Sequence, residues 1–192
     1  MKEIKVKLPD GVEKSVPAGI TVQEMITAWK PEVLSSTIAA RVNQTPVDLS
    51  HALQADGTIS LIDVQSREGL GILRHSISHV MAQAVQDTFR NVQVSIGPSI
   101  EEGFYYDFEY AETFTPEDLE KIEKRMREIA EAIHSFKRRE VSRDEAVSLF
   151  KSKGESYKVE LLSDLPVDVI VNMGTQERDS RLEMNWRRTG GA

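Results

Sequence analysis

The chain has 192 residues, with 31 acidic and 24 basic side chains, a formal net charge of −7 and no cysteine. This length predicts one or two domains, the negative charge argues against a general nucleic-acid coat, and the absence of cysteine excludes disulfides, iron–sulfur clusters and cysteine-ligated zinc within the chain. No apolar run approaches the length of about 18 residues that indicates a membrane span, and the charged start MKEIKVKLPDG lacks a secretory apolar block, so we expect a cytoplasmic protein with no membrane partner.

Residues 3–62 predict the order strand, strand, helix, strand, strand. EIKVKLPDGVEKSV alternates apolar and charged residues around a turn at 9–11, which is typical of a hairpin. TVQEMITAWK has an apolar helical stripe, and Thr21 with Glu24 forms a capping-box pattern at its start. IAARVN and TISLID have the composition of strands. This order predicts a β-grasp, ubiquitin-like module, which we expect to bind a partner and to carry no chemistry.

The next part of the chain is dominated by two predicted helices. QSREGLG (65–71) predicts a linker, and a helix follows over about 70–90. NVQVSIGPSIEEGFYYDFEY has strand character interrupted by turns at Gly97-Pro98 and at a later glycine. A long helix is predicted over 116–134, with Thr115 as its N-cap.

Shorter elements are predicted after the long helix. FKRREVS has the pattern of a strand, and YKVELL alternates like another strand. Between them, a helix is predicted with Ser142 and Glu145 as a capping box and Gly154 as its terminator. VDVIVNM could add a further strand, whereas the polar, glycine-rich end ERDSRLEMNWRRTGGA is expected to be mobile.

The segment RHSISHV carries the first candidate site residues. His75 and His79 lie four residues apart in the predicted helix, and at about 100° per residue they project nearly opposite the apolar stripe that contains Ile77. The pair therefore faces either solvent or a cleft closed by another element. By spacing alone a polar helix face is the more frequent outcome. A metalloprotease is disfavoured because Ser76 occupies the position of the glutamate in the H-E-x-x-H motif.

A metal site is a separate alternative for the two histidines. Glu101, Glu102 or Asp107 could complete it, but nothing in their spacing requires this. Two imidazoles alone make a poor zinc site, because structural zinc takes four ligands. We therefore expect no metal in this chain.

Several segments occur in the order found in a known family. RHSISHVMAQAV, SIGPSIEEGFYYDFEY, TPEDLEKIEKRMREIAE and GESYKVELL, together with IAARVNQTPVDLSHAL, in which Gln44 replaces a common glycine, resemble the N-terminal part of bacterial-type threonyl-tRNA synthetases over about residues 1–165. The resemblance implies an α+β fold. It comprises a TGS domain of β-grasp type over 1–64, an incomplete editing domain with a long helix packed on an antiparallel sheet over 70–170, and a divergent tail over 171–192.

The resemblance implies hydrolysis of mischarged Ser-tRNA(Thr), with the 3′ end of tRNA(Thr) as partner. The family's site residues fall on His75 and His79, which would position or deprotonate water, and on Lys158, which would neutralise the oxyanion. A substrate-orienting tyrosine falls on Tyr106, with Tyr105 as the second choice. The residues by themselves leave alternatives open: Lys158 in an alternating strand is usually solvated, and alternation sends one of the two tyrosines into the core.

The end of the sequence departs from the family pattern. The family completes its editing site with a Cys-x-x-x-His segment, whereas TQERDSRLEMNWRRTGGA contains neither residue type. We therefore expect editing to be impaired. The family's catalytic core, which uses ATP and zinc and forms the dimer, is also absent from the sequence, so we expect no aminoacylation, no cofactor in this chain, and a monomer.

A second function is a non-catalytic module that binds RNA or another partner through the TGS domain. Basic side chains on and after the long helix could contact tRNA phosphates; these are Lys121, Lys124, Arg125, Arg127 and residues 137–139. They lie among many glutamates, so the favoured interpretation is a solvated, salt-bridged helix face.

Overall fold

The computed structural model describes residues 2–95, 97, 99–132, 136–166, 169–176 and 179–188. The chain divides into two compact units, Met1–Arg74 and His75–Ala192. The predicted last turn of the long helix (133–134), Pro98 of the predicted turn and the end of the tail (189–192) lie outside the described residues. Within the described ranges, no helix is long and apolar enough to cross a membrane.

The first unit contains a five-stranded sheet and a helix. Its elements are β1 (Glu3–Lys7), β2 (Glu13–Pro17), α1 (Val22–Trp29), a 3-10 helix (Pro31–Ser35), β3 (Thr37–Val42), β4 (Thr45–Val47) and β5 (Gly57–Asp63). The strand order is β2–β1–β5–β3–β4, in which β1 and β5 run parallel and the other neighbours run antiparallel. This arrangement confirms the predicted β-grasp fold.

Alternating burial explains why the sheet and helix of the first unit pack together. Ile4 and Val6 of β1 are each 1% exposed, while the residues between and beside them are exposed. They share a core with Met25 and Ile26 of α1 and with Ile59 of β5. The alternation places one face of the sheet against the helix, because successive side chains of a strand point to opposite faces.

Two predicted helix starts are confirmed by their caps. Thr21 accepts the amide of Glu24 at 3.1 Å, and the Glu24 carboxylate accepts the amide of Thr21 at 2.8 Å. Thr115 forms the same reciprocal pair of hydrogen bonds with Asp118 at the start of the long helix. Each cap satisfies amides that the first turn of a helix leaves without partners.

The second unit combines helices with small antiparallel sheets, and α2 (Arg67–Thr88) begins shortly before it. Four short strands come next: β6 (Gln93–Val94), β7 (Ser99–Ile100), β8 (Gly103–Phe104) and β9 (Phe108–Glu109). The later elements are α3 (Pro116–Glu131), β10 (Phe136–Ser142), α4 (Arg143–Ser152), α5 (Ser156–Ser163), β11 (Val169–Gln176) and β12 (Asp179–Arg188). Strands β10–β11–β12 form one sheet, β6 pairs with β9, and β7 pairs with β8, which confirms the α+β class.

The long helix α3 packs its apolar stripe against α2. Ala84 and Val85 of α2 are buried with Ile122 and Ile129 of α3, and Phe108 of β9 packs against the same core. This packing holds α2 beside the β6–β9 strands. The polar face of α2 is thereby fixed relative to the segment between β6 and β9.

The predicted linker at 65–71 is wrong in its second part, because α2 begins at Arg67. The hydroxyl of Ser66 accepts the amide of Gly69 at 3.0 Å and donates to the carbonyl of Asp63 at 2.6 Å, which caps the helix. A Cβ on Gly69 would lie 2.0 Å from the same carbonyl oxygen. The glycine that indicated a linker is therefore required by close packing at a helix start.

The predicted strand in YKVELL is also wrong, because this segment forms α5. Gly154, with a φ of +72°, follows α4 as the predicted terminator, and α5 begins at Ser156. Val159 and Leu162 both pack into the core around Phe150. Helical spacing brings residues three apart to one face, whereas strand alternation separates them.

The tail differs from the sequence-based expectation as well. VDVIVNM contributes strand β11, as predicted, but the segment expected to be mobile contains β12, which pairs with β11 from Asp179 to Arg188. The predicted capping box of α4 is half formed. Ser142 accepts the amide of Glu145 at 3.2 Å, while the Glu145 carboxylate binds Arg139 instead of returning to the cap.

Candidate active site

The two histidines of α2 contact each other directly. Their Nε2 atoms are 3.2 Å apart, and the ring centroids are 4.6 Å apart at an angle of 86°. A hydrogen bond between two Nε2 atoms requires that one ring carries its proton there while the other accepts it. The neutral pair therefore consists of two different tautomers, and a charged imidazolium on both rings would be repulsive.

The histidine face of α2 is exposed at one end and covered at the other. His75 is exposed, whereas Ala82, which lies on the same face, is only 6% exposed. Gln86, one further turn along, donates from Nε2 to the Glu155 carboxylate at 3.3 Å. The residue that precedes α5 therefore contacts the far part of this face, while His75 borders solvent.

The environment of the pair disfavours the charged form of both imidazoles. Burial, which is the largest cause, and the charges of His75 and Lys158 together lower the pKa of His79 to about 4. Burial also lowers the pKa of His75, although one side of this residue is exposed. A neutral imidazole can accept a hydrogen bond from water, which an imidazolium cannot.

Lys158 lies at the start of α5 and not in a solvated strand. Its ammonium is 3.4 Å from the Glu155 carboxylate, and the two side chains are 18% and 20% exposed. The ammonium also lies 5.3 Å from the centroid of the Phe150 ring. Its positive charge is one of the smaller causes of the lowered pKa of His79, and its assigned role at the site stays a prediction.

The first turn of α5 is fixed by contacts with several elements. Ser156 donates to Gln93 of β6 at 2.7 Å, and Tyr157 donates to the Glu109 carboxylate of β9 at 2.6 Å. These contacts add to the Gln86–Glu155 hydrogen bond from α2. A pocket of about 200 Å³ lies beside this turn, lined by Ser95, Tyr157, Lys158, Glu160, Leu161 and Asp164.

The structure separates the two candidate tyrosines. The ring of Tyr106 lies 6.4 Å from that of His79 at an angle of 69° and stacks on Phe108 at 5.3 Å. Tyr105 is 50% exposed. His75, His79 and Tyr106 therefore come together, the charge of Lys158 contributes to the lowered pKa of His79, and Tyr105 projects to the surface.

Other residues that shape this region were not predicted from the sequence. Ser78 is 0% exposed and donates to the carbonyls of His75 and Gly97. Glu155 connects Lys158 to α2. No local pattern marks these residues, although Gly97 appeared in the predicted turn and Glu155 stands next to the helix terminator at Gly154.

A metal centre finds no support in the described part of the chain, where no cluster of three or more histidine, cysteine, aspartate or glutamate side chains could hold an ion. The histidine pair offers two nitrogens, and Glu101 and Glu102 are exposed in the turn between β7 and β8. Two ligands leave a zinc ion without half of the shell that a structural site provides.

Three of the basic side chains of α3, namely Lys121, Arg125 and Arg127, are paired with acids, as the favoured interpretation predicted. Lys121 binds Asp118 at 2.9 Å, Arg127 binds Glu123, and Arg125 binds both Asp87 and Glu128. Pairs of this kind satisfy the charges within the protein. A tRNA phosphate would therefore bind these paired cations more weakly than it would bind a strip of unpaired basic side chains.

Comparison with known proteins agrees with this architecture. Residues 4–63 match the family model of the TGS domain. The threonine–tRNA ligase of Geobacter sp. (strain M21) is 45% identical over 170 residues, which cover 88% of this chain and 27% of that protein. The corresponding ligase of Methylobacillus flagellatus is 42% identical over 172 residues, which cover 90% of this chain and 27% of that protein.

The chain is similar to the N-terminal region of threonine–tRNA ligases. The resemblance stated from its sequence segments is therefore confirmed. The chain spans about a quarter of the length of the curated relatives that it matches. The similarity includes the segments that carry His75, His79, Tyr106 and Lys158.

Proposed function

We propose that the second unit hydrolyses the ester bond of mischarged Ser-tRNA(Thr). The observation that carries this proposal is the neutral His75–His79 pair, which lies against Tyr106 and within the electrostatic influence of Lys158. Ester hydrolysis needs an acceptor that orients water, a cation that stabilises the oxyanion, and a group that orients the substrate. These four residues supply those functions.

The need for such a reaction follows from the difference between threonine and serine. The two amino acids differ by one methyl group, and a binding pocket gains only about 1–3 kcal/mol from one such group. Selection of the amino acid by binding alone therefore leaves some tRNA(Thr) charged with serine. A second site that hydrolyses the smaller, incorrect ester corrects them, and the similarity to threonine–tRNA ligases supports this substrate.

The histidine pair acts in this proposal by placing water and carrying its proton. With a pKa of about 4, His79 is neutral at physiological pH but is only a weak base. The free acceptor nitrogen of the pair would hold the attacking water. As the water oxygen bonds to the ester carbon, its proton passes to an imidazole and from there to the departing 3′ oxygen of the ribose.

Lys158 stabilises the negative charge that forms on the ester oxygen. Its separation of 3.4 Å from Glu155 is longer than the roughly 2.7–2.9 Å of a close charge-assisted hydrogen bond. The ammonium therefore retains donor capacity for an oxyanion. Tyr106, whose ring lies beside that of His79, would orient the seryl group. The missing Cys-x-x-x-His segment leaves fewer polar groups around the substrate, so we propose that the hydrolysis is slow.

The test is release of serine from Ser-tRNA(Thr) under single-turnover conditions. We expect the chain to exceed the buffer rate, and a His75→Ala/His79→Ala variant to lose about 100-fold or to fall to the buffer rate. His51→Ala, an exposed histidine of the first unit, is the matched control and should retain the full rate. Equal rates for the chain and the double variant would contradict the proposed hydrolysis.

A second candidate is a non-catalytic module that binds tRNA or another partner, which the TGS match favours. Binding of tRNA(Thr) that survives the double histidine substitution, together with hydrolysis at the buffer rate, would support it. We further propose that the protein acts in the cytoplasm as a monomer and without a cofactor. Sedimentation of the purified chain, alone and with tRNA, tests its oligomeric state.

A further inference from the structure

Gly97 and the ring of Tyr106 make an unusually close approach in the candidate active site. A Cβ on residue 97 would lie 1.9 Å from Cδ2, 2.4 Å from Cε2 and 2.6 Å from Cγ of Tyr106. Ordinary van der Waals contacts of carbon atoms are about 3.5–4.0 Å long. Any side chain at position 97 would therefore have to displace the tyrosine ring.

The conflict with the Tyr106 ring by itself excludes a side chain at position 97, whatever the backbone angles of this glycine.

Ser78 holds Gly97 against helix α2. Its side chain is fully buried, and its hydroxyl lies 2.7 Å from the carbonyl of His75 and 3.2 Å from the carbonyl of Gly97. Ser78 stands between His75 and His79 in the sequence, so the hydrogen bond joins the turn at Gly97 to the helical turn that presents both histidines.

We propose that Gly97 is a positioning residue of the editing site, whose missing side chain lets the Tyr106 ring settle against His79 while Ser78 fixes the turn on α2. The role of Gly97 in editing rests on the proposed function. The steric effect does not depend on that function: the ring covers His79 only because residue 97 has no Cβ. Displacing the ring by the roughly 1.5–2 Å that a normal contact demands would open the histidine to water.

The chain offers a matched control for a Gly97→Ala variant. A Cβ on Gly103 of strand β8 would have no heavy atom within 4 Å, and the φ of Gly103 is not in the left-handed region. Gly103→Ala therefore adds the same methyl group in the same part of the fold without touching Tyr106. It should leave the environment of His79 and the hydrolysis rate unchanged.

The decisive measurement is an NMR titration of His79 in each full-length variant, combined with the nuclear Overhauser contact between the His79 and Tyr106 rings. Because burial lowers the pKa of His79 to about 4, we expect Gly97→Ala to raise it by about 1 unit or more toward 6.5 and to weaken the ring contact. Gly103→Ala should change neither. An unchanged titration and ring contact in Gly97→Ala would overturn the inference.

A double-mutant cycle covers the case in which Gly97→Ala unfolds. In a Tyr106→Ala background the obstructing ring is gone, so adding Gly97→Ala should cost little further thermal stability and should not move the pKa of His79 again. If Gly97→Ala destabilises the protein equally in both backgrounds, a backbone requirement is responsible and the inference fails.

These readouts separate this inference from the proposed hydrolysis. If the chain does not release serine but Gly97→Ala still shifts the His79 titration, the positioning role stands and the proposed reaction fails. If the chain is active, we expect Gly97→Ala to lower kcat by about 10-fold or more, because the water-binding histidine is disturbed. An active chain whose Gly97→Ala variant keeps full activity and an unchanged titration would refute the positioning role alone.

Discussion

The lowered pKa of His79 makes the stability of the protein depend on pH in a way that one substitution should remove. In the unfolded chain the imidazole takes up a proton near pH 6.5, whereas in the folded protein it does so near pH 4. Between these values the unfolded state binds more protons, so the free energy of unfolding falls as the pH is lowered through this window. The contribution of neutral His79 is complete above about pH 6.5 and is lost toward pH 4.

The magnitude follows from the difference between the two pKa values. At 1.36 kcal/mol per pKa unit, the contribution of neutral His79 to the free energy of unfolding is about 3 kcal/mol in total. Of this contribution, about 2–3 kcal/mol is lost between pH 7.5 and pH 4.5. His75, whose pKa is also lowered by burial, adds to the effect in the same direction. A loss of this size is a large fraction of the stability of a typical domain.

The assay is urea unfolding at several pH values between 7.5 and 4.5, followed through the amide signals of the buried residues Ala84 and Ile122, which belong to the second unit. A His79→Gln variant retains a polar side chain but cannot be protonated, so its loss of stability in this range should be smaller by about 2–3 kcal/mol. His51→Gln should behave like the unaltered protein. An identical pH dependence for the unaltered protein and His79→Gln would refute the reasoning.

Three further substitutions test the packing and caps on which the two units depend. Arg41→Met removes a partly exposed bidentate bridge to Glu68 and should lower the free energy of unfolding of the first unit by about 0.5–1 kcal/mol, less at high salt, as measured by urea unfolding. Thr115→Ala removes the capping box of α3 and should cost about 1 kcal/mol by thermal unfolding, whereas the neighbouring exposed Thr113→Ala should cost almost nothing; equal losses would show that the cap is unimportant. Phe150→Leu, at a fully buried position, should cost about 1–2 kcal/mol by chemical unfolding, and no loss would contradict its place in the core.

The elements that the sequence predicted well are those with a strong local pattern. The β-grasp order came from alternating strands and from the Thr21 cap, and the long helix came from its stripe and the Thr115 cap. The errors fell where local patterns are ambiguous. YKVELL is short and apolar enough to fit a strand or a helix, and the helix was selected by burial of Leu162 beside Phe150.

The candidate site was also predicted only in part from the sequence. The spacing of His75 and His79 placed them on one helix face, and the family resemblance named Lys158 and Tyr106 as their companions. Sequence spacing could not show that the two Nε2 atoms meet at 3.2 Å or that Tyr106, and not Tyr105, turns toward them. Those facts depend on rotamers and on how the strands β6–β9 lie against α2.

By itself, the sequence determined the β-grasp order of the elements, the helix caps and the histidine face of α2. It also determined the resemblance of these segments to the N-terminal region of threonyl-tRNA synthetases. Only the tertiary structure decided that the far end of this face is covered, that Lys158 lies in the first turn of a helix and pairs with Glu155, and that a side chain on residue 97 would collide with the Tyr106 ring. The physical reason is the distance along the sequence over which each interaction acts. Periodicity and capping act between residues within one or two turns, whereas burial, a lowered pKa and a steric requirement arise from atoms that distant segments bring together.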